Sequence, residues 1–390
     1  MTVNKVYLVS GKRTPFGKFG GSLCSFTPVD LASFASKDLL DQTNVSASLV
    51  DHVIFGNVVT ASTDTMYAAR HVALRLGCKI TTPAYNLNRL CGSGLQVILD
   101  AARMIKLGEA SCVLSCGAEA MSMIPHLVYG SRFGTKYGEL KTVDMLLDAL
   151  TDKHSNTPMG ITAENLAKKY SITRQECDEF SVLSHQKASK AYEENLIQGE
   201  ITSVALKKST LNKDEHLRED ANIEQMQKLR SSFVKDGVVT PASASGIVDG
   251  GAACLIASEK FVLKNKLTPL AEIVDGDVIG VDPQIMGIGP VPVIQNLLSK
   301  NEKKIEDIAL FEINEAFSAQ LLAVSKELNL PLDKINIWGG AIALGHPLGA
   351  TGLKITLTLA RQLQNKNLDF GISSACIGGG QGIGILLKKV

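Results

Sequence analysis

Short runs of Val, Ile and Leu alternate along the chain with longer stretches in which apolar residues return every three or four positions. Residues 5–10, 53–59 and 110–116 read as buried strands. Between the last two, Leu95, Ile98, Leu99, Ala102 and Ile105 follow an i, i+3, i+4, i+7, i+10 pattern, which places one apolar stripe on a helix starting near Cys91. Strand, helix, strand in that order predicts an α/β fold.

The pattern then repeats. Residues 91–103 align without gaps on residues 349–361, with identities at Gly94/Gly352, Leu95/Leu353, Leu99/Leu357, Ala102/Ala360 and Arg103/Arg361. The flanks keep step, Phe55-Gly56-Asn57 against Phe311-Glu312-Ile313 and Cys116-Gly117 against Cys376-Ile377. A duplicated α/β domain is expected. Residues 120–247 interrupt the duplication with a Met- and Gly-rich stretch and charged helical sequence between Ala163 and Asn195. A long excursion of this kind is usually a binding element or lid, the plainer alternative being a solvated surface segment.

Composition narrows the class. The chain has 390 residues, 40 basic against 39 acidic side chains and 45% apolar residues. That balance disfavours a nucleic-acid binder, which rests on a basic excess, and a disordered acidic chain. No apolar run approaches the roughly 20 residues that span a bilayer, and the opening residues show neither a signal peptide nor a transit sequence. The 8 cysteines form no C-x-x-C pair, so reduced thiols in a cytoplasmic setting are expected.

Four segments carry candidate chemistry. Cys91, in Asn88-Arg89-Leu90-Cys91-Gly92-Ser93-Gly94, sits where a loop enters a helix, whose positive end lowers a thiol pKa toward neutrality. The same pattern suits an inert buried cysteine equally well. His346 lies in a Gly-rich turn before the second repeat helix. A lone histidine is more often a packing residue, but duplication would bring the two helix starts face to face and let His346 take a proton from Cys91. Cys376 is followed by five glycines within eight residues, a density of free N–H groups that suits an oxyanion, or else close backbone packing. Asn314-Glu315 follows an apolar run and reads either as a water-orienting pair or as turn capping.

Together these segments resemble the thiolase family over nearly the whole chain. Arg13-Thr14-Pro15-Phe16-Gly17, Gly117-Ala118-Glu119-Ala120-Met121-Ser122, residues 158–164 and residues 287–292 resemble further family motifs. The resemblance implies a five-layered αβαβα fold of two similar domains, residues 1–119 plus 248–268 and residues 269–390, with a loop domain inserted at 120–247. It implies acyl transfer between coenzyme A thioesters in a homodimer or homotetramer, without metal or redox cofactor. Cys91 would form the acyl-enzyme with His346 as base, and Cys376 would move the proton at the carbon nucleophile. His346 with an Asn314-held water would stabilise one oxyanion, and the N–H groups of Cys91 and Gly378 the other. Ser245 would meet the pantetheine, Arg218 the nucleotide end, and Met159 and Met286 would line the acyl pocket.

The reaction expected first is acetyl-CoA C-acetyltransfer, two acetyl-CoA giving acetoacetyl-CoA and coenzyme A, or the reverse. Cleavage of longer 3-ketoacyl-CoA esters is the alternative, since Pro158 stands where many short-chain relatives have histidine. A non-catalytic acyl-CoA-binding module is disfavoured by the presence of all four reactive residues. A decarboxylating condensing enzyme is disfavoured because Cys376 fits neither of its usual site patterns. Val97, Trp338, Ser243 and Asp64-Thr65-Met66-Tyr67 depart from common family patterns and are expected to alter packing near the site, pocket shape or subunit contacts.

Overall fold

The computed structural model describes residues 5–390; residues 1–4, on which the expected N-terminal domain opens, lie outside the described residues. In the first half the strands are β1 (Val6–Arg13), β2 (His52–Gly56), β3 (Ala84–Leu87), β4 (Cys112–Ala120) and β5 (Val248–Ser258). They alternate with α1 (Pro28–Thr43), α2 (Ala68–Arg75) and α3 (Ser93–Leu107). Between β4 and β5 the chain forms α4 (Met145–Ala149), α5 (Met159–Lys169) and α6 (Arg174–Glu193). The second half repeats the scheme with β6 (Ala271–Gly280), β7 (Leu310–Ile313), β8 (Phe370–Ile377) and β9 (Gln381–Lys389), and with α7 (Pro290–Lys300), α8 (Ser318–Leu328) and α9 (Leu348–Lys366).

Hydrogen bonding runs in the order β7-β8-β9-β6-β1-β5-β4-β2-β3, so each half is a mixed sheet and the halves meet edge to edge at β1 and β6. That junction is two residue pairs long, Tyr7 with Glu272 and Leu8 with Ala271. β2 runs parallel to β3 and β4, as β7 does to β8. The counterpart of β3 in the second half is reduced to one bridge, Phe311 to Ile335. The ladders also correct the sequence repeat: Phe55 pairs with Cys116, but Phe311 pairs with Ile372, four residues before Cys376. The two flanking matches therefore cannot share one register.

Strand alternation builds the layers. Val9 and Leu255 face α1 and α2, while Leu8 and Ile256 face inward onto α3 and α9. On the far side Phe311, Ile372 and Leu386 pack under α7 and α8. Helices thus cover both outer faces and fill the middle, a five-layered arrangement. The single apolar stripe expected on α3 is too narrow: Ser93 to Leu99 are buried without a break because sheets flank the helix on both sides. In α9 even Lys354 is buried, 3.7 Å from Glu312.

The central helices cross at Gly94 and Gly352. A Cβ on Gly352 would lie 2.1 Å from the Leu95 nitrogen, and one on Gly94 2.7 Å from the Gly352 nitrogen. No side chain fits between these backbones. Among the described residues no helix is long and apolar enough to cross a membrane.

Gly352→Ala is expected to destabilise by roughly 3 kcal/mol or more, the upper end of overpacking, because the neighbour is backbone rather than a movable side chain. Leu107→Ala, at a side chain 75% exposed, should stay within about 0.5 kcal/mol. Thermal unfolding of both variants checks this, and equal melting temperatures would contradict it.

Candidate active site

Cys91 stands at the entrance to α3, on a turn tied down from several sides. Ser93 Oγ accepts from the Arg89 N–H and donates to the Leu90 carbonyl, each at 2.8 Å, and the Leu90 N–H donates to Asn88 Oδ1 at 2.8 Å. Leu90 is held at a φ of 47°, a left-handed conformation that a non-glycine residue adopts only under constraint. The Cys91 side chain is part-buried, and the N–H groups of Cys91 and Gly378 point at its sulfur. Both favour the thiolate, yet burial outweighs them and pushes the thiol up to about 11. The expectation of a thiol lowered toward neutrality by the helix end is therefore corrected.

His346 is buried just before α9, its N–H donating to the Gly246 carbonyl at 2.9 Å. Its Nδ1 lies 2.6 Å from Thr351 Oγ1, and that hydroxyl donates its proton to the Pro347 carbonyl at 3.1 Å. Thr351 must therefore accept from Nδ1–H, which leaves Nε2 as the bare, basic nitrogen. Nε2 faces Asn314 Nδ2 at 3.3 Å. Asn314 Oδ1 is buried with no donor among the described residues, so it is free to accept from a water. Burial pushes the imidazole down to about 4, so it is neutral at physiological pH.

Cys376 is fully buried near the end of β8, in a cluster with Ala163, Val239, Met286, Ala316 and Phe317 that also takes up Met159. Burial drives its pKa far above the usual thiol range, with the Cys91 charge adding to the effect; the two sulfurs lie close enough to interact. Glu315 parts company with its neighbour Asn314. Its carboxylate accepts from Ser184, Asn336 and the Ile342 N–H and serves the turn rather than the histidine.

A cavity of about 300 Å³ reaches His346 and is lined also by Met159, Ser245, Pro158, Leu147, Phe233 and Phe317 among others, while Cys91, Asn314 and Cys376 lie behind this wall. Gly378 adjoins it through Met159: a Cβ there would lie 3.1 Å from the Met159 sulfur. Met286 packs beside Cys376 in one cluster with Met159 and Phe317, which line the cavity, and stands just behind that wall. Arg218 lines a second cavity of about 330 Å³ with His185, His216 and Asp220. One segment joins the two: Pro241 and Ala242 line the outer cavity, Ala244 to Ile247 the inner.

Val97 is buried in the central layer, while Trp338 packs on Ala191 and Ile197. Trp338 thus shapes the seat of α6. Ser243 closes its own turn with Thr240, and Met66 and Tyr67 are exposed. Sequence reasoning missed Thr351, Leu147 and Phe233; the one available signal was Thr351 in the first turn of the helix that follows the histidine.

A family model described as "Thiolase, N-terminal domain" matches residues 6–260, and one described as "Thiolase, C-terminal domain" matches residues 267–389. The human "3-ketoacyl-CoA thiolase, mitochondrial" is 47% identical over 389 residues, covering 98% of each chain. A Staphylococcus aureus "Probable acetyl-CoA acyltransferase" is 43% identical over 99% of this chain and 100% of the relative. The crystal structure of the human mitochondrial 3-ketoacyl-CoA thiolase in complex with CoA superimposes with a TM-score of 0.98 at 47% identity, covering 100% of this chain and 98% of that one. That of the Bacillus anthracis acetyl-CoA acetyltransferase gives 0.96 at 39% identity, covering 100% and 99%. The human relative is named mitochondrial, so the cytoplasmic expectation gains no support from it.

With the thiol raised and the imidazole lowered, both groups are neutral near pH 7. Alkylation of Cys91 by iodoacetamide, followed by peptide mass spectrometry, should accelerate continuously from pH 7 to 9; a rate already level at pH 7 would reveal a preformed thiolate. The histidine also carries a stability signature. Its folded value lies below the free value of about 6.5, so its contribution is complete above that pH. As pH falls from about 6.5 toward 4, the unfolded chain binds the proton more readily and stability should decline.

Proposed function

Within the thiolase family of acyltransferases, to which the chain belongs, we propose that this enzyme cleaves 3-ketoacyl-CoA thioesters with coenzyme A, acetoacetyl-CoA included, through a Cys91 acyl-enzyme. The observation that carries the reading is the meeting of a thiol flanked by two N–H donors with a second thiol, beside a cavity lined by a tautomer-locked imidazole.

As Cys91 sulfur attacks the 3-keto carbonyl, its proton passes to His346 Nε2. The oxygen that becomes negative is met by the Cys91 and Gly378 N–H groups, each such donor supplying roughly 2.7 to 4 kcal/mol of barrier stabilisation. Breakage of the carbon–carbon bond leaves the acetyl-CoA enolate, whose oxygen is met by His346 Nε2–H and an Asn314-held water, and Cys376 protonates its carbon. A second coenzyme A then takes the acyl group from Cys91, its thiol proton passing to the Cys376 thiolate while His346 returns its proton to the departing Cys91 sulfur. One base cannot serve both centres, which is why two thiols suit the reaction. Coenzyme A acts as substrate, and the chemistry so drawn uses no metal or redox cofactor.

Coenzyme A would run along residues 241–247, with its nucleotide end near Arg218 and its pantetheine past Ser245. We take residues 120–247 as an inserted unit serving the site, since they supply most of the cavity wall. Condensation of two acetyl-CoA, the reaction expected first, stays within this chemistry as the reverse of acetoacetyl-CoA cleavage. Longer chains are favoured by the apolar wall of Leu147, Leu150, Met159 and Phe233, by Pro158, and by the identity to the human relative. Exposed Met66, Tyr67, Ile80, Phe133 and Tyr137 support assembly into a homodimer or homotetramer.

Thiolysis of 3-ketoacyl-CoA esters from four to twelve carbons should proceed, with kcat/KM higher for at least one longer ester than for acetoacetyl-CoA. Cleavage confined to acetoacetyl-CoA would return the assignment to the acetyl-specific reaction, and no cleavage of any ester would remove it. Cys91→Ala should abolish acyl-enzyme formation. Cys376→Ala should still acylate from acyl-CoA while losing carbon–carbon exchange, both read by intact-protein mass spectrometry and isotope exchange.

A further inference from the structure

The motif Gly117-Ala118-Glu119-Ala120 places a carboxylate at the end of β4 that is wholly buried and, among the described residues, makes no salt bridge. Four N–H groups surround it. Oε1 accepts from Asn57 Nδ2 at 3.0 Å and from the Val59 N–H at 2.9 Å; Oε2 accepts from the Val58 N–H at 3.1 Å and the Gly349 N–H at 3.0 Å. Three of these donors follow β2 in the first half of the fold. The fourth belongs to the second half, in the first turn of α9, three residues after His346 and two before the Thr351 that orients its ring.

The same turn is pressed from below. The Gly349 carbonyl lies so close to β2 and β4 that a Cβ on Gly117 would come within 2.3 Å of it, and one on Gly56 within 3.1 Å. On the other side the charge of Glu119 reaches the Cys91 thiol and helps to raise it. Burial pushes the Glu119 carboxyl up to about 7, opposed by its N–H donors.

We infer that Glu119 is a positioning residue: from the first half it grips the Gly349 N–H of the second and thereby sets where the His346 ring stands relative to Cys91. Only an acceptor at both oxygens satisfies the site, because each oxygen takes two donors. An amide in either orientation turns its own N–H₂ against two of them.

The inference rests on His346 acting as the base, and the test separates the two claims. In the full-length enzyme, Glu119→Gln should lower kcat for 3-ketoacyl-CoA thiolysis tenfold or more per folded molecule, with the KM for coenzyme A within threefold. The His346 ring resonances in ¹⁵N-labelled protein should shift, a readout that needs no turnover. A kcat loss below tenfold, a loss that only tracks the folded fraction, a rise in KM alone, or an unmoved ring signal would each overturn it. If the wild type cleaves no ester, the acyl-transfer reading fails and the ring signal alone decides. If Glu119→Gln does not fold, Glu119→Asp, which keeps the charge but is one methylene too short to bridge both halves, is read by the same criteria.

Discussion

The approach of α3 and α9 through Gly94 and Gly352 is the constraint on which the rest of the molecule depends. With no side chain between them, the backbones touch, and the N-terminal ends of both helices are forced into one neighbourhood. One helix is entered through Cys91, the other through His346. A separation wider by a single methyl group would part the two entrances, since the surrounding sheets are packed on both helices and leave no slack.

Burial then decides the electrostatics of the site. Helix ends and N–H groups favour a thiolate at Cys91, but a charge in an apolar enclosure is disfavoured more strongly than two donors favour it. The same enclosure denies His346 a proton. Both groups are thus uncharged at rest, with N–H donors already in place beside the thiol. Preorganised N–H groups contribute most under those conditions.

The segment between β4 and β5 closes the site and is itself anchored by charge. Fully buried Arg13 binds Asp214 at 2.7 Å and Glu200 at 2.8 Å, and Tyr192 donates to Asp214 at 2.7 Å. This ties the excursion to β1. Removing one partner from such a buried cluster typically costs about 3 to 5 kcal/mol, because it strands the other charge. The excursion is thus held by these ion pairs together with apolar packing, Leu166, Ile172 and Phe180 sharing a cluster with Val291, Ile294 and Leu321 of the second half.

The duplication, the long excursion and the strand–helix alternation were legible in the chain, as were Cys91, Asn314, His346 and Cys376 as candidates, because local periodicity and glycine spacing are properties of neighbours in sequence. So was the pairing of Gly94 with Gly352, as an identity in the repeat. Other features depended on packing that exists only in the folded chain. Burial raised Cys91 and lowered His346; Thr351 chose the imidazole tautomer; Met286 packed beside Cys376; and Trp338 packed against α6. A side chain's identity fixes which bonds it can make, but its solvation and its partners exist only after both halves have packed together.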